Sequence, residues 1–306
     1  MSAPPRVSVV MPVFNPGAFL GQALDSVAAQ TFRDFELVIV DDGSTEARTR
    51  TLLADVGRHP GVSVHRTENR GPALARNLAI ERARGAYILP LDADDWLAPT
   101  FLAKTVPLLD ADPGLGVAYT WVGLVGAHHG VWRTGGFSVK ELVARCTLHV
   151  ASLFRRELWA EAGGYDPAFV ESSEDWDLWL GAAARGWRGQ CVPEVLVYYR
   201  RSASSRERNA RQPAISARLM RTLVRKHHAL YAAHVEDAIV GMQVERAELC
   251  LMVERIYDHP AMRVLGRLRA LVRGHRSAPA ERLDERAREG EAGGGGERGA
   301  PERRSG

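Results

Sequence analysis

The 306-residue sequence has few cysteines and no long apolar run. Its three cysteines, Cys146, Cys191 and Cys250, are widely spaced and form no paired motif, so neither a disulfide framework nor a thiolate metal site is indicated. No stretch reaches the roughly 18 apolar residues of a membrane-spanning helix, and the first residues lack the apolar core of a signal peptide. We therefore predict a protein of the cytoplasm, a reducing compartment.

The sequence also lacks a strong excess of either charge. The formal net charge is +3, and no Lys/Arg run with interleaved aromatic residues is present. A nucleic-acid partner is therefore not predicted. With 45% hydrophobic and 25% charged residues, the composition is that of a globular protein with a sizeable core.

Short β-branched runs alternate with helical periodicity from residue 6 to about residue 110. The strand-like runs are RVSVVMP, FELVIVD, GVSVHRT and AYILPLD, and amphipathic or helix-forming stretches separate them. This alternation predicts an α/β fold with a parallel sheet covered by helices. Ligands of such sheets collect at the carboxyl ends of the strands, where loops and helix N-termini meet.

Two acidic clusters fall at predicted strand ends. Asp41 and Asp42 close the run FELVIVD, and Asp92, Asp94 and Asp95 follow AYILP within the segment DADD. Three neighbouring carboxylates repel each other, and oxygen ligands without His or Cys favour Mg²⁺ or Mn²⁺ over zinc. The alternative is ordinary turn and helix-capping chemistry, which Asp, Gly and Ser also favour.

Four segments resemble the family 2 inverting glycosyltransferases of GT-A fold. They are VSVVMPVFN, QTFRDFELVIVDDGS, ENRGPALARNLAIERARGAYILPLDADD and ESSEDWDLWLGAAARGWR, in the family's order over residues 6–205. The resemblance implies a Rossmann-like nucleotide-binding sheet with helices on both faces. It also implies transfer of a sugar from a nucleotide-diphosphate sugar to an acceptor hydroxyl. A UDP-sugar is the first candidate donor. The acceptor would be a glycan, a lipid-linked sugar or a small molecule of bacterial glycan or glycoconjugate biosynthesis.

The resemblance assigns roles to residues of the first half. Pro12, Val13 and Phe14 would line the nucleobase pocket. Asp42 would hydrogen-bond the base, whereas Asp41 would instead be a local cap. Arg76 would approach the diphosphate, with a surface ion pair as its alternative. The cation, Mg²⁺ or Mn²⁺, would bridge the phosphates, and its candidate ligands are the aspartates of DADD: Asp94 as the direct ligand, Asp92 towards ribose or the metal water shell, and Asp95.

The second half would supply the catalytic base. The resemblance assigns that role to Asp175, with Glu174 as its neighbour or substitute, at the start of a helix that Ser172 or Ser173 would cap. A helix N-terminus stabilises a carboxylate and weakens it as a base, whereas a like-charged neighbour and shielding by Trp176 restore its basicity. The alternative is that the acidic pair only complements the helix dipole.

One position departs from the family pattern. Many relatives carry a histidine two residues after the YYR segment, and this sequence has Ser202 there. Arg200 or Arg201 would have to compensate in contacting the leaving group.

The sequence predicts three regions. Residues 1–205 form the catalytic domain, with a donor half over 6–115 and an acceptor half over 116–205. Residues 206–276 are helical, and residues 277–306 form a disordered tail rich in Arg, Glu, Gly and Pro. Within the helical region, residues 262–276 form a basic amphipathic segment that either contacts a membrane peripherally or packs on protein.

Two other functions fit parts of the pattern. A nucleotidyltransferase would use a similar sheet, but such enzymes generally need a basic, glycine-rich loop after the first strand, and MPVFNPG contains no cation. A non-catalytic nucleotide-sugar-binding module would keep the fold without turnover. The presence of both DADD and the Glu174–Asp175 pair favours an enzyme.

Overall fold

The computed structural model describes residues 3–127, 129–201 and 210–260. The strands are β1 Val7–Val13, β2 Phe35–Asp41, β3 Val62–Arg66, β4 Tyr87–Pro90, β5 Trp96–Leu97, β6 Leu115–Gly126, β7 Gly130–Trp132, β8 Leu153–Arg155 and β9 Arg188–Arg201. The helices are α1 Leu20–Ala28, α2 Ala47–Val56, α3 Pro72–Arg82, α4 Phe101–Ala111, α5 Val139–Leu142, α6 Arg156–Ala162, α7 Glu174–Ala183, α8 Pro213–Lys226, α9 His228–Ala233 and α10 Val235–Asp258.

The described strands form one mixed sheet in the order β3-β2-β1-β4-β8-β6-β9-β5, and β7 pairs with β6. Strands β3, β2, β1 and β4 are parallel, which confirms the prediction for the first half of the chain. Strand β8 runs antiparallel to both β4 and β6, and therefore joins the two halves into a single sheet. The carboxyl ends of β1, β2 and β4 consequently meet along one edge.

Two hydrophobic clusters cover the two faces of this sheet. The side chains of β1 alternate between them, because Val10 belongs to one cluster and Val9 and Met11 belong to the other. Helix α1 packs its apolar face, with Leu20 and Ala23, against the second cluster. A strand buried on both faces explains the nearly continuous apolar run at the start of the sequence.

The start of α7 differs from the prediction. Ser173 occupies the N-cap position, but its side chain makes no capping hydrogen bond and its φ is +74°. Left-handed backbone is costly for a non-glycine residue and is concentrated at functional sites. Ser173 therefore turns the chain sharply into Glu174 and Asp175 rather than capping the helix.

The chain divides into two compact units, residues 1–243 and residues 244–306. In the first unit, α8 packs near α7 through Lys226, whose Nζ lies 2.7 Å from both Asp166 Oδ2 and Asp177 Oδ2. The described part of the second unit, residues 244–260, contains the C-terminal part of α10. The predicted domain boundary at residue 205 stays a prediction.

No helix among the described residues is both long and apolar enough to cross a membrane. The amphipathic segment 262–276, the tail 277–306 and Ser202 lie outside the described residues. The predictions made for them stay predictions.

Candidate active site

A cavity of about 770 Å³ opens at the edge where the carboxyl ends of β1, β2 and β4 meet. Predicted site residues from both halves of the chain line it together, although they are up to 163 positions apart in sequence. These residues are Pro12, Val13, Phe14, Asp42, Arg76, Asp92, Asp94, Glu174 and Asp175. Asp95 does not line the cavity.

The loops after β1 and β2 hold each other in place. Asn15, with φ +47°, accepts hydrogen bonds at its Oδ1 from the backbone N–H groups of Thr45 and Glu46, at 2.8 and 3.0 Å. Asp41 accepts from the Ser44 N–H at 2.8 Å and from Arg66 Nη1 at 2.7 Å, so it acts as a local cap. This rigid base positions Pro12, Val13 and Phe14 along the cavity wall.

Asp42 already has backbone partners on the loop before α3. Its Oδ1 accepts the Arg70 N–H at 2.9 Å, and its Oδ2 accepts the Gly71 N–H at 2.8 Å. Each carboxylate oxygen has a second acceptor direction, so these bonds fix the carboxylate and leave acceptor capacity on it. Contact between Asp42 and a nucleobase stays a prediction.

The DADD segment directs two carboxylates to the cavity. Asp92 and Asp94 are both partly exposed and line it. Burial, and then the like charge of Asp92, raise the pKa of Asp94 to about 6. A cation at this position would relieve that repulsion, and two carboxylates with donor phosphates and water are a typical coordination set for Mg²⁺.

Asp95 has a different environment from the one predicted. Its side chain is 1% exposed, its Oδ1 accepts the Arg200 N–H at 2.8 Å, and its Oδ2 lies 3.7 Å from His149 Nε2. Burial, with Asp94 and Asp92 nearby, raises the pKa of Asp95 well above its usual value. Across the described residues, no three His, Cys, Asp or Glu side chains are arranged to hold a metal ion. Asp95 is therefore placed away from the cavity, and its role as a metal ligand stays a prediction.

Arg76 is buried between the two halves of the site. Its side chain is 2% exposed, and it donates from Nη2 to Asp92 Oδ1 at 2.5 Å and from Nη1 to Glu174 Oε1 at 2.7 Å. The predicted alternative, an ion pair on the helix surface, is wrong, because Arg76 belongs to the buried face of α3. Its predicted contact with a diphosphate stays a prediction.

Asp175 is the partly exposed carboxylate of the acidic pair, whereas Glu174 is buried beside it. Burial and the neighbouring charge of Glu174 raise the pKa of Asp175 to about 7, and Arg76 acts in the opposite direction. The helix dipole therefore does not dominate at this position. A cavity-lining carboxylate that titrates near neutral pH is suited to accept a proton.

Of the aromatic residues of α7, one lines the cavity and one is buried in the hydrophobic core. Trp176 lines the cavity beside Asp175, and its Nε1 donates to the Leu142 carbonyl at 2.6 Å. Trp179 is fully buried and packs edge-on against Phe137 and Phe154, as expected for core residues at helical spacing.

Sequence reasoning did not identify His149, which lines the cavity, or Tyr165, which lies against Arg76. His149 lines the cavity and accepts the Ala151 N–H at Nδ1 over 3.2 Å, so the proton of the neutral ring is on Nε2, facing Asp95. Tyr165 places its ring 5.6 Å from the Arg76 guanidinium. Neither residue stands in a motif, and both reach the site only through long-range packing.

Arg200 is held firmly next to DADD. Its Nε donates to the Asp94 carbonyl at 3.1 Å and its Nη2 to Gln22 Oε1 at 2.6 Å, and its guanidinium lies 4.2 Å from the Phe19 ring centroid. Because Arg200 also lines the cavity, it places a positive charge near Asp94. The compensating role of Arg200 or Arg201 stays a prediction.

The sheet, the strand-end cavity and its clustered carboxylates define a nucleotide-binding α/β enzyme domain of GT-A type. Residues 8–157 match the family model described as Glycosyl transferase family 2. The resemblance of this chain to glycosyltransferase family 2 is therefore confirmed over residues 8–157, just under half of its length.

Curated relatives match over part of the chain. An uncharacterized glycosyltransferase of Methanocaldococcus jannaschii is 25% identical over 207 residues, which cover 64% of this chain and 71% of that protein. Chondroitin synthase of Escherichia coli is 28% identical over 180 residues, covering 58% of this chain and 26% of that protein. The chain thus spans only about a quarter of the length of this second relative.

Solved structures share the fold at low identity. TarS of S. aureus, residues 1–349 in complex with UDP-GlcNAc, has a TM-score of 0.58 at 20% identity and covers 72% of this chain and 66% of that chain. The mannosyltransferase PcManGT of Pyrobaculum calidifontis, in complex with GDP-Man and Mn²⁺, has a TM-score of 0.58 at 22% identity, covering 88% and 85%. These likenesses confirm the GT-A fold.

Proposed function

We propose that this protein transfers a sugar from a nucleotide-diphosphate sugar to an acceptor hydroxyl with inversion of configuration, and that Asp175 is the base. The observation that carries the proposal is the joint lining of one cavity by Asp92 and Asp94 from the donor half and Asp175 from the acceptor half. Donor and acceptor would thus meet between them. A UDP-sugar is the first candidate donor, and TarS, solved with UDP-GlcNAc, supports testing it first.

The donor would lie against the first-half loops. Pro12, Val13 and Phe14 would contact the nucleobase, and Asp42 would accept a hydrogen bond from it. Asp94 would hold Mg²⁺ or Mn²⁺ with Asp92 close by, and the complex of PcManGT with Mn²⁺ supports this choice of metal. When bound, the cation supplies positive charge to the leaving diphosphate.

The proposed reaction is one displacement. The acceptor hydroxyl gives its proton to the Asp175 carboxylate while its oxygen bonds to the anomeric carbon. The bond from that carbon to the diphosphate breaks, and the nucleoside diphosphate leaves with the electron pair. Arg200 would add positive charge on the leaving-group side, next to Asp94.

The proposed base predicts the pH dependence of transfer. Only ionised Asp175 accepts a proton, and its pKa is raised to about 7, so the rate should fall as pH drops through that value. At one pH unit below the pKa, about a tenth of the sites are ionised, which sets the expected residual rate. Turnover measured at saturating donor between pH 5.5 and 9 checks this. A flat profile down to pH 5.5 would rule out a base with this pKa.

A panel of UDP-, GDP-, CDP- and TDP-sugars, incubated with Mn²⁺ and analysed for products, tests the proposed function. Slow release of a nucleoside diphosphate and free sugar is expected from at least one donor, because water replaces the missing acceptor. Release of a nucleoside monophosphate and sugar 1-phosphate, from attack of water on the α-phosphate, would instead support a nucleotidyltransferase. Binding of a donor without turnover would support a non-catalytic module.

A further inference from the structure

The buried guanidinium of Arg76 connects the donor side of the cavity to the base side. Its two terminal nitrogens bond to Asp92, in the loop after β4, and to Glu174, the first residue of α7. Asp92 is 16 positions from Arg76 in sequence and Glu174 is 98. One side chain of α3 therefore joins two elements that carry different parts of the proposed chemistry.

Burial of this charge is costly and has to be compensated. Removing a guanidinium from water costs free energy unless carboxylates and hydrogen bonds replace the hydration shell. Two carboxylates do so here, while the buried Nε atom has no hydrogen-bond partner among the described residues. A leucine or methionine on the buried face of α3 would avoid this cost, so packing alone does not account for an arginine.

The neighbouring residue Asn77 shows that this turn of α3 is built to hold the acceptor half. Asn77 donates from Nδ2 to the Tyr165 carbonyl at 2.7 Å and accepts the Tyr165 N–H at 2.9 Å and the Trp159 Nε1–H at 3.1 Å. The ring of Tyr165 in turn lies against the Arg76 guanidinium. The Arg76–Asn77 pair thus fixes α7 and the segment before it against the donor half.

Both terminal nitrogens of the Arg76 guanidinium are therefore engaged in carboxylate pairs. A diphosphate that displaced Glu174 would leave a buried carboxylate without its cation. The positive charge of Arg76 also lowers the pKa of Asp175. The titratable or charged groups that face Asp175 are Glu174, Arg76, Cys146 and Tyr165, and Arg76 is the cation among these four.

We infer that Arg76 is a positioning residue, which holds Glu174 and the start of α7 in register with Asp92 so that Asp175 faces the donor, and that it does not bind the diphosphate. This inference rests on the proposed function, because it takes Asp175 as the base. It assigns to Arg76 a different role from the one implied by family resemblance.

Arg76→Met and Arg76→Lys test the inference. Arg76→Met should lower kcat by roughly ten- to a hundred-fold with little change in the KM of the donor, because a misplaced base slows the chemical step. The acidic limb of the pH profile should move up by about one pH unit or more, since Asp175 loses a neighbouring positive charge. Arg76→Lys keeps that charge, and should show a smaller shift of the limb while still losing kcat.

Nucleoside diphosphate affinity separates this role from a phosphate contact. Calorimetry with Mn²⁺ and UDP, or with GDP or CDP if the parent prefers it, should give the same Kd for the parent and both variants. A Kd raised ten-fold or more with an unmoved acidic limb would overturn the inference and make Arg76 a diphosphate ligand. An unchanged kcat would overturn it as well.

Further variants and a binding measurement distinguish a folding defect, a wrong role for Arg76 and a wrong proposed function. If Arg76→Met does not fold, the double variant Arg76→Met with Glu174→Gln removes the unpaired buried charge, and Arg76→Lys provides an independent reading. Affinity is measured without turnover, so a failed inference appears as a changed Kd. A failed function appears separately, as a parent protein that releases no nucleoside diphosphate from any donor.

Discussion

Asp175→Asn should reduce sugar transfer by roughly a hundred- to ten-thousand-fold, the contribution that a general base typically makes. The amide cannot take the acceptor proton, yet it has nearly the same shape as the carboxylate. The proposed nucleotide and metal residues lie at the carboxyl ends of β1, β2 and β4 and in the loops that follow these strands. The Kd of the Mn²⁺–nucleoside diphosphate complex, measured by calorimetry, should therefore match that of the parent.

The thermal midpoint of Asp175→Asn and the activity of Glu174→Gln are the controls for this experiment. The folded-state pKa of Asp175 is raised above 3.8, so its ionised form costs stability at pH 8, and the thermal midpoint of Asp175→Asn should be equal or higher there. Glu174→Gln is the matched control, because it makes the same chemical change one residue earlier and keeps an oxygen for Arg76. Its loss of transfer should be much smaller. An Asp175→Asn protein that transfers sugar at the parental rate would end the assignment of the base.

Asp94→Asn should abolish the metal dependence of donor binding and slow transfer by roughly a hundred- to thousand-fold, as expected when charge stabilisation of the leaving group is lost. In the parent, EDTA should weaken nucleoside diphosphate binding, and Mg²⁺ or Mn²⁺ should restore it. In the variant, calorimetry with and without Mn²⁺ should give one and the same low affinity.

Asp95→Asn is the control for Asp94→Asn within the same segment. Because the raised pKa of Asp95 favours its neutral form, and its Oδ1 accepts a backbone N–H, an amide should replace it with little loss of stability or affinity. The response to Mn²⁺ should remain. Equal affinity in EDTA and in Mn²⁺ for the parent would contradict the metal site altogether.

The strands and helices of the donor half are predicted well from the sequence, because the patterns that specify them are local. The run FELVIVD coincides with β2, Phe35–Asp41, and the other three predicted strands of this half are also present. Period-two and period-3.6 patterns and turn residues act over a few positions, and short parallel connections leave few alternative topologies. The placement of the acidic clusters at one sheet edge follows from this topology.

The sequence does not predict which carboxylate of DADD lines the cavity and which is buried. The outcome depends on hydrogen bonds to backbone groups that are distant in sequence. Asp95 is held by the N–H of Arg200, 105 positions away, whereas Asp94 next to it lines the cavity. The burial of Arg76 is not predicted from the sequence either, because an arginine in an amphipathic helix is expected on the surface. Its burial depends on Glu174, whose approach no local pattern encodes.

The most direct measurement is real-time proton NMR of the anomeric proton while the parent protein turns over the α-linked nucleotide sugar that the donor panel identifies. A single displacement assisted by Asp175 predicts that the β-anomer of the sugar appears first, before the anomers equilibrate in solution. Initial release of the α-anomer would show retention of configuration and would contradict the one-step mechanism with Asp175 as its base.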